Sequence, residues 1–168
     1  MSVVTNSVSI KASMNWRLSK TVTGFDAPSQ GPGGLTGTYA PATATFNNIY
    51  HLASTTIAAS ATQALDFFTV VDMLGTSLSA TKICGILITA TATTTGGILK
   101  IEPHTTNPLT WPFAGTTPSI ALTVGTTGAG FLIWQGTTQT VSNTVKQWLL
   151  TNTGTQTITV TVSAVVGT

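Results

Sequence analysis

The chain has 168 residues, 42% of them hydrophobic and only 6% charged, with six Lys and Arg against four Asp and Glu for a net charge of +2. Soluble domains usually carry roughly 25% charged residues, so this surface must consist mainly of Thr, Ser, Asn, Gln and Gly. So small a net charge argues against nucleic acid, which calls for a basic patch or stripe. No apolar run reaches the roughly 18 residues of a membrane span.

The length suits one domain over residues 1–168, able to bury about 70% of the surface of its unfolded chain. The single Cys84 allows no internal disulfide and lies inside an apolar run, where it reads as a small buried hydrophobe. The start, MSVVTNSVSI, lacks a basic region followed by an apolar one, so no secretory signal is expected.

In chain order, Val8 and Ile10, then Met14, Trp16 and Leu18, alternate with polar or basic neighbours. Period two predicts a half-buried strand with its basic residues in solvent. Residues 24–41, rich in Gly and Pro, predict an irregular loop or arm that lies over its own domain or reaches a neighbouring subunit. Phe46, Ile49, Leu52 and Ile57 mark another strand or strand pair. Residues 64–68 predict a shorter one, entering a turn between Asp72 and Ser77.

Residues 81–93 are rich in β-branched residues, with Gly85 interrupting the run, and uncharged apart from Lys82, which predicts a central strand buried on both faces. Gly96 and Gly97 then predict a hairpin turn with Ile98, Leu99 and Ile101 on the returning strand. Residues 103–118 form a second proline-rich loop, carrying Trp111 and Phe113.

Strands follow at Ile120 to Val124, at residues 131–134 and at residues 144–151, with a hairpin turn expected at residues 152–155. The last strand alternates most clearly, with Ile158, Val160, Val162, Ala164 and Val166 on one face and Thr157, Thr159, Thr161, Ser163 and Val165 on the other. Helical periodicity is missing throughout. Eight to ten short strands at such spacing predict an all-β fold, an antiparallel β-sandwich of jelly-roll kind. Threonine, roughly a fifth of the chain, fits because it is β-branched and wettable at once.

Catalytic constellations are thin. Asp66 and Asp72 read as strand-end and turn-capping acids rather than an acid/base pair. Glu102 and His104 would share a strand face as half of a metal site, but Pro103 between them disturbs the geometry and His51 is a distant third ligand. There is no nucleophile elbow and no phosphate loop. The reading is therefore a protein without catalytic residues, metal or cofactor. Trp16, Trp134 and Trp148 sit in strand patterns and read as core, whereas Trp111, Phe113, Phe25 and Tyr39 are the candidate contact residues.

The central stretch carries the one likeness to a known group. Leu52-Ala53-Ser54, Ala64-Leu65-Asp66, Leu74-Gly75-Thr76-Ser77-Leu78 and Thr81-Lys82-Ile83, with the alternating final strand, resemble small virion-module structural proteins of tailed bacteriophages and prophages. The chain departs from that pattern in its Gly/Pro-rich arm and in the loop at 103–118. The resemblance implies a structural particle component, a capsid decoration or cement protein made in the host cytoplasm and located in the virion. Its partners would be itself, as a homo-oligomer with a trimer expected, and a major capsid protein or other virion protein, without nucleic acid or membrane. Two other readings share the composition: a carbohydrate- or receptor-binding domain of a fibre or adhesin, and a jelly-roll coat protein that closes a shell by itself.

Overall fold

The structure is a computed structural model that describes residues 10–20, 29–39, 48–71 and 75–168. Twelve strands and no helix run through the described residues. They are β1 (Ile10–Lys20), β2 (Ser29–Tyr39), β3 (Asn48–Ile57), β4 (Thr62–Asp66), β5 (Thr69–Val71), β6 (Ser77–Ser79), β7 (Lys82–Ala92), β8 (Gly97–Pro103), β9 (Ile120–Val124), β10 (Ala129–Thr140), β11 (Gln147–Asn152) and β12 (Ile158–Gly167).

The first two strands pair antiparallel, from Ile10 opposite Tyr39 to Lys20 opposite Ser29, and form a compact unit of their own, Ser9–Ala40. Much of the loop expected at residues 24–41 is therefore strand. Glycine and proline lower strand propensity, but in a two-stranded ribbon each strand is an edge, and an edge tolerates a residue such as Pro32 that cannot donate to a ladder.

The second unit is the sandwich. Its sheets have the orders β10-β7-β12-β3 and β4-β11-β8-β9, and every pairing is antiparallel. Among these eight strands the first pairs with the last (β3 with β12), the second with the seventh (β4 with β11), the third with the sixth (β7 with β10) and the fourth with the fifth (β8 with β9). This is the order of a jelly roll, a long hairpin rolled across two sheets. The small β5–β6 ribbon is inserted between the second and third of them.

Two turns expected to close hairpins instead carry the chain from one sheet to the other. β7 and β8 belong to opposite sheets, as do β11 and β12. Local turn chemistry does not distinguish a hairpin from a corner, and here close backbone packing fixes the corner. A Cβ on Gly154 would lie 2.6 Å from Ile98 N and collide with the carbonyl of Gly96, so the two corners meet backbone to backbone.

The central strand β7 differs from its expected burial on both faces. Ile83, Cys84, Gly85 and Ile86 are all buried, after which Leu87, Thr89 and Thr91 are exposed while Ile88, Ala90 and Ala92 are buried. The register explains the change: Val165 faces Gly85 but Val166 faces Ile83, so Cys84 is the extra residue of a bulge. Ile83 and Ile86 thus both reach the core although they are three apart. β12 follows its predicted alternation as far as Ala164, with Ile158, Val160, Val162, Ala164 and Val166 buried, but Val165, expected on the other face, is buried as well. Each such Ile or Val contributes about 1.5–3 kcal/mol by leaving water.

The core is closed at one end by aromatics. Trp148 on β11 has no exposed surface, and its ring meets Phe67 at 5.2 Å and Phe113 at 5.2 Å between centroids, both edge-on. At the other end of the same strand lies Asn152, the buried polar residue of the described core. Its Nδ2 donates to the carbonyls of Ile57 (2.9 Å) and Gln156 (2.7 Å), and its Oδ1 accepts from Gly154 N–H at 3.1 Å. One amide thereby ties the end of β3 to the β11–β12 corner.

Candidate interaction surface

The loop at residues 104–119 folds back on its own sandwich. Lys146 and Gln147 N–H both donate to Asn107 O, Leu109 N–H donates to Gln147 O, and the indole N–H of Trp148 donates to Leu109 O (2.9 Å) and Trp111 O (3.1 Å). These bonds bring Trp111 and Phe113 together over Trp148, where both are half-buried. Phe113 also lines a shallow groove of about 410 Å³ with Pro112, Pro118 and Ile120. Of the other expected contact residues, Tyr39 belongs to the hairpin unit, opposite Ile10, and Phe25 lies outside the described residues.

Four ionised side chains of the sandwich are engaged in two ion pairs. Asp66 Oδ2 meets Lys146 Nζ at 3.0 Å, and Lys100 meets Glu102 at 2.6 Å. Asp66 Oδ1 also accepts the N–H groups of Phe68 (2.8 Å) and Thr69 (3.0 Å), the strand-end cap expected of it. Burial alone would push this carboxyl up, but Thr69 N–H, Lys146 and Phe68 N–H outweigh it and hold it below the usual aspartate value. Tyr50 is raised, first by burial and then by the charge of Asp66. Burial pushes the Cys84 thiol up to about 11.

Glu102 and His104 do not face a common ligand. Glu102 is taken by Lys100, and His104 Nδ1 lies 2.8 Å from Thr106 O and 3.0 Å from Thr106 N. Among the described residues no three His, Cys, Asp or Glu side chains come together. Asp72 lies outside the described residues.

What the sandwich offers a partner is strand edge and wettable face. Its edges are β10 and β3 in one sheet, β4 and β9 in the other. Natural sheets guard such edges with bulges, charges or covering groups. β3 carries an extra residue between Leu52 and Thr55, and β10 carries extra residues between Trp134 and Gln139. On β4, Phe67 N–H bonds to Lys146 O and Asn152 N–H to Ala61 O, so odd-numbered residues bond inward and Ala64 O faces out; Gln63 Nε2 covers it at 2.8 Å. β9 differs from all three.

Its register with β8 runs unbroken from Gly97 opposite Val124 to Ile101 opposite Ile120. Thr153 N–H donates to Ile98 O and His104 N–H to Gln147 O, so the even-numbered residues of β8 bond toward β11 and the odd ones toward β9. Leu99 therefore bonds Leu122, while Ala121 and Thr123 turn their N–H and C=O groups onto the open edge. Both of these side chains are exposed. A sequence signal marks the region: from Pro103 to Val145 there is no Asp, Glu, Lys or Arg. Composition read over the whole chain conceals it, because the few charges lie elsewhere. No protein-family model and no curated protein matches this chain.

Proposed function

We infer that this chain is a structural subunit of a virus particle, of the tailed-phage kind its central stretch resembles, acting as a capsid decoration or cement protein. A fold hosts many functions, but the jelly roll is a recurrent shell-building architecture. Here its outward residues are largely Thr and Ser, among them Thr89, Thr91, Thr159, Thr161 and Ser163. The strand order combined with this nearly uncharged exterior is the observation that carries the reading. Such a body binds through strand edges, backbone hydrogen bonds and apolar burial. Its partners are further copies of itself and a major capsid protein, and its place is the virion.

The same strand order favours one second reading, a coat protein that closes a shell unaided. Negative-stain imaging and light scattering of the purified chain, alone and mixed with candidate capsids, separate the two. A decoration protein gives small oligomers alone and added density on capsids, and a coat protein gives closed particles alone. A monomer that neither assembles nor binds particles refutes both.

A further inference from the structure

We propose that the β9 edge is a self-association site, at which a second copy of this chain adds its own β9 antiparallel about a two-fold axis through Leu122. The inference deepens the subunit reading above and rests on it for the claim that the protein works by assembly.

Three observations lead here. First, β9 is the one edge among the described sandwich strands with neither a bulge nor a side-chain cap, and its backbone groups at Ala121 and Thr123 face outward. Second, a two-fold contact makes every group near the axis meet its own kind, so charges there repel. The stretch from Pro103 to Val145 meets that requirement, having no Asp, Glu, Lys or Arg. The nearest ions, Lys100 and Glu102 on β8, neutralise each other. Third, a patch without charge has nothing to offer a polyanion, an acidic peptide or an anionic membrane, whereas a second copy brings the same uncharged edge.

The geometry is specific. Ala121 exchanges both backbone hydrogen bonds with Thr123 of the second copy, and Thr123 with Ala121. The two Leu122 residues then face each other as a non-hydrogen-bonded pair, with Cα atoms about 4.5 Å apart. Leu122 is half-buried against the core, so the second copy covers what the core leaves open. Only five residues long, the strand supports a weak contact, suited to joining tiles held elsewhere in a lattice.

Sedimentation equilibrium of the full chain over a range of concentrations tests this, with Thr123→Lys against Thr62→Lys on the capped β4 edge. Both positions are exposed, so folding should survive in either. The wild type should show a concentration-dependent dimer, Thr123→Lys should weaken it at least tenfold, and Thr62→Lys should leave it unchanged. In a Cys84→Ala background, Leu122→Cys should cross-link into a dimer under oxidised glutathione, because a spacing of about 4.5 Å falls within disulfide reach, while Thr62→Cys should not.

A wild-type chain that remains monomeric at millimolar concentration, or a dimer indifferent to Thr123→Lys, overturns the proposal. If that chain still decorates capsids, the subunit reading stands and only the β9 pairing falls. A Thr123-sensitive dimer that ignores every capsid sinks the decoration reading and keeps the pairing.

Discussion

Replacing Asn152 by alanine removes an amide that satisfies three backbone groups at once: the carbonyls of Ile57 and Gln156 and the N–H of Gly154. The residue has 0% exposure. Leaving a buried polar group unpaired costs about 1–3 kcal/mol, and relaxation at a corner places each near the low end, for a loss of about 3 kcal/mol. In a domain of this size that corresponds to a melting temperature lower by about 9 °C. Asn152→Asp is the sharper test, because it keeps the shape and turns the donor of two of those bonds into an oxygen facing two carbonyl oxygens.

The aspartate would be buried and repelled, so its pKa in the folded protein lies above the unfolded value of about 3.9. A raised folded pKa makes the variant least damaged below about pH 4, with stability falling away from wild type as pH rises through the folded value. At pH 7 the loss should be about 3–5 kcal/mol, that of a stranded buried charge. Urea titrations of wild type and both variants at pH 4 and pH 7 supply the comparison. A loss below about 1 kcal/mol for Asn152→Ala, or an Asn152→Asp deficit that does not grow with pH, would refute the role given to this side chain.

Gly154→Ala should cost about 3 kcal/mol or more, because the new methyl group meets backbone that cannot step aside, whereas Gly125→Ala, with open space around it, should be near neutral in thermal melts. Asp66 has a depressed pKa and so lends stability that is present above its unfolded value of about 3.9 and is lost as pH falls through its lower folded value. Asp66→Asn should therefore flatten the acid limb of the stability–pH curve, and an unchanged limb would contradict the capping role. The Cys84 thiol, fully buried and pushed up to about 11, should resist maleimide labelling at pH 8 in the native protein and react on unfolding; rapid native labelling would contradict its burial.

Periodicity carried the sandwich far. β12 buries the residues its alternation named, and Ile120, Leu122 and Val124 form the expected strand, because a half-buried strand writes its faces into the chain. Connections were less legible. The turns at Gly96 and after Asn152 look like hairpin turns, yet both are corners between sheets, a choice made by contacts such as Gly154 against Ile98 that join residues more than fifty apart. The bulge at Cys84 likewise follows from pairing to two neighbours and not from local propensity. β2 was hidden by its glycines and Pro32, which lower strand propensity although the segment pairs with β1.

Of the expected contact residues, Trp111 and Phe113 do come together, but largely on Trp148. The edge at Ala121 and Thr123 could not be read from sequence, since only the ladder shows which backbone groups face out. The uncharged run that surrounds it was legible, as a local property that whole-chain averages hide.

Cosedimentation of the purified chain with capsids, at about 50 mM and about 500 mM salt, bears most directly on the central claim that this jelly roll binds through uncharged edges and faces. With a Debye length shrinking from about 14 Å to about 4 Å over that range, ion-paired contacts weaken sharply while buried backbone and apolar contacts do not. The expected result is saturable binding at a fixed copy number per capsid, with nearly the same affinity in both buffers. Binding that collapses at the higher salt, or none to any capsid in either buffer, would contradict it.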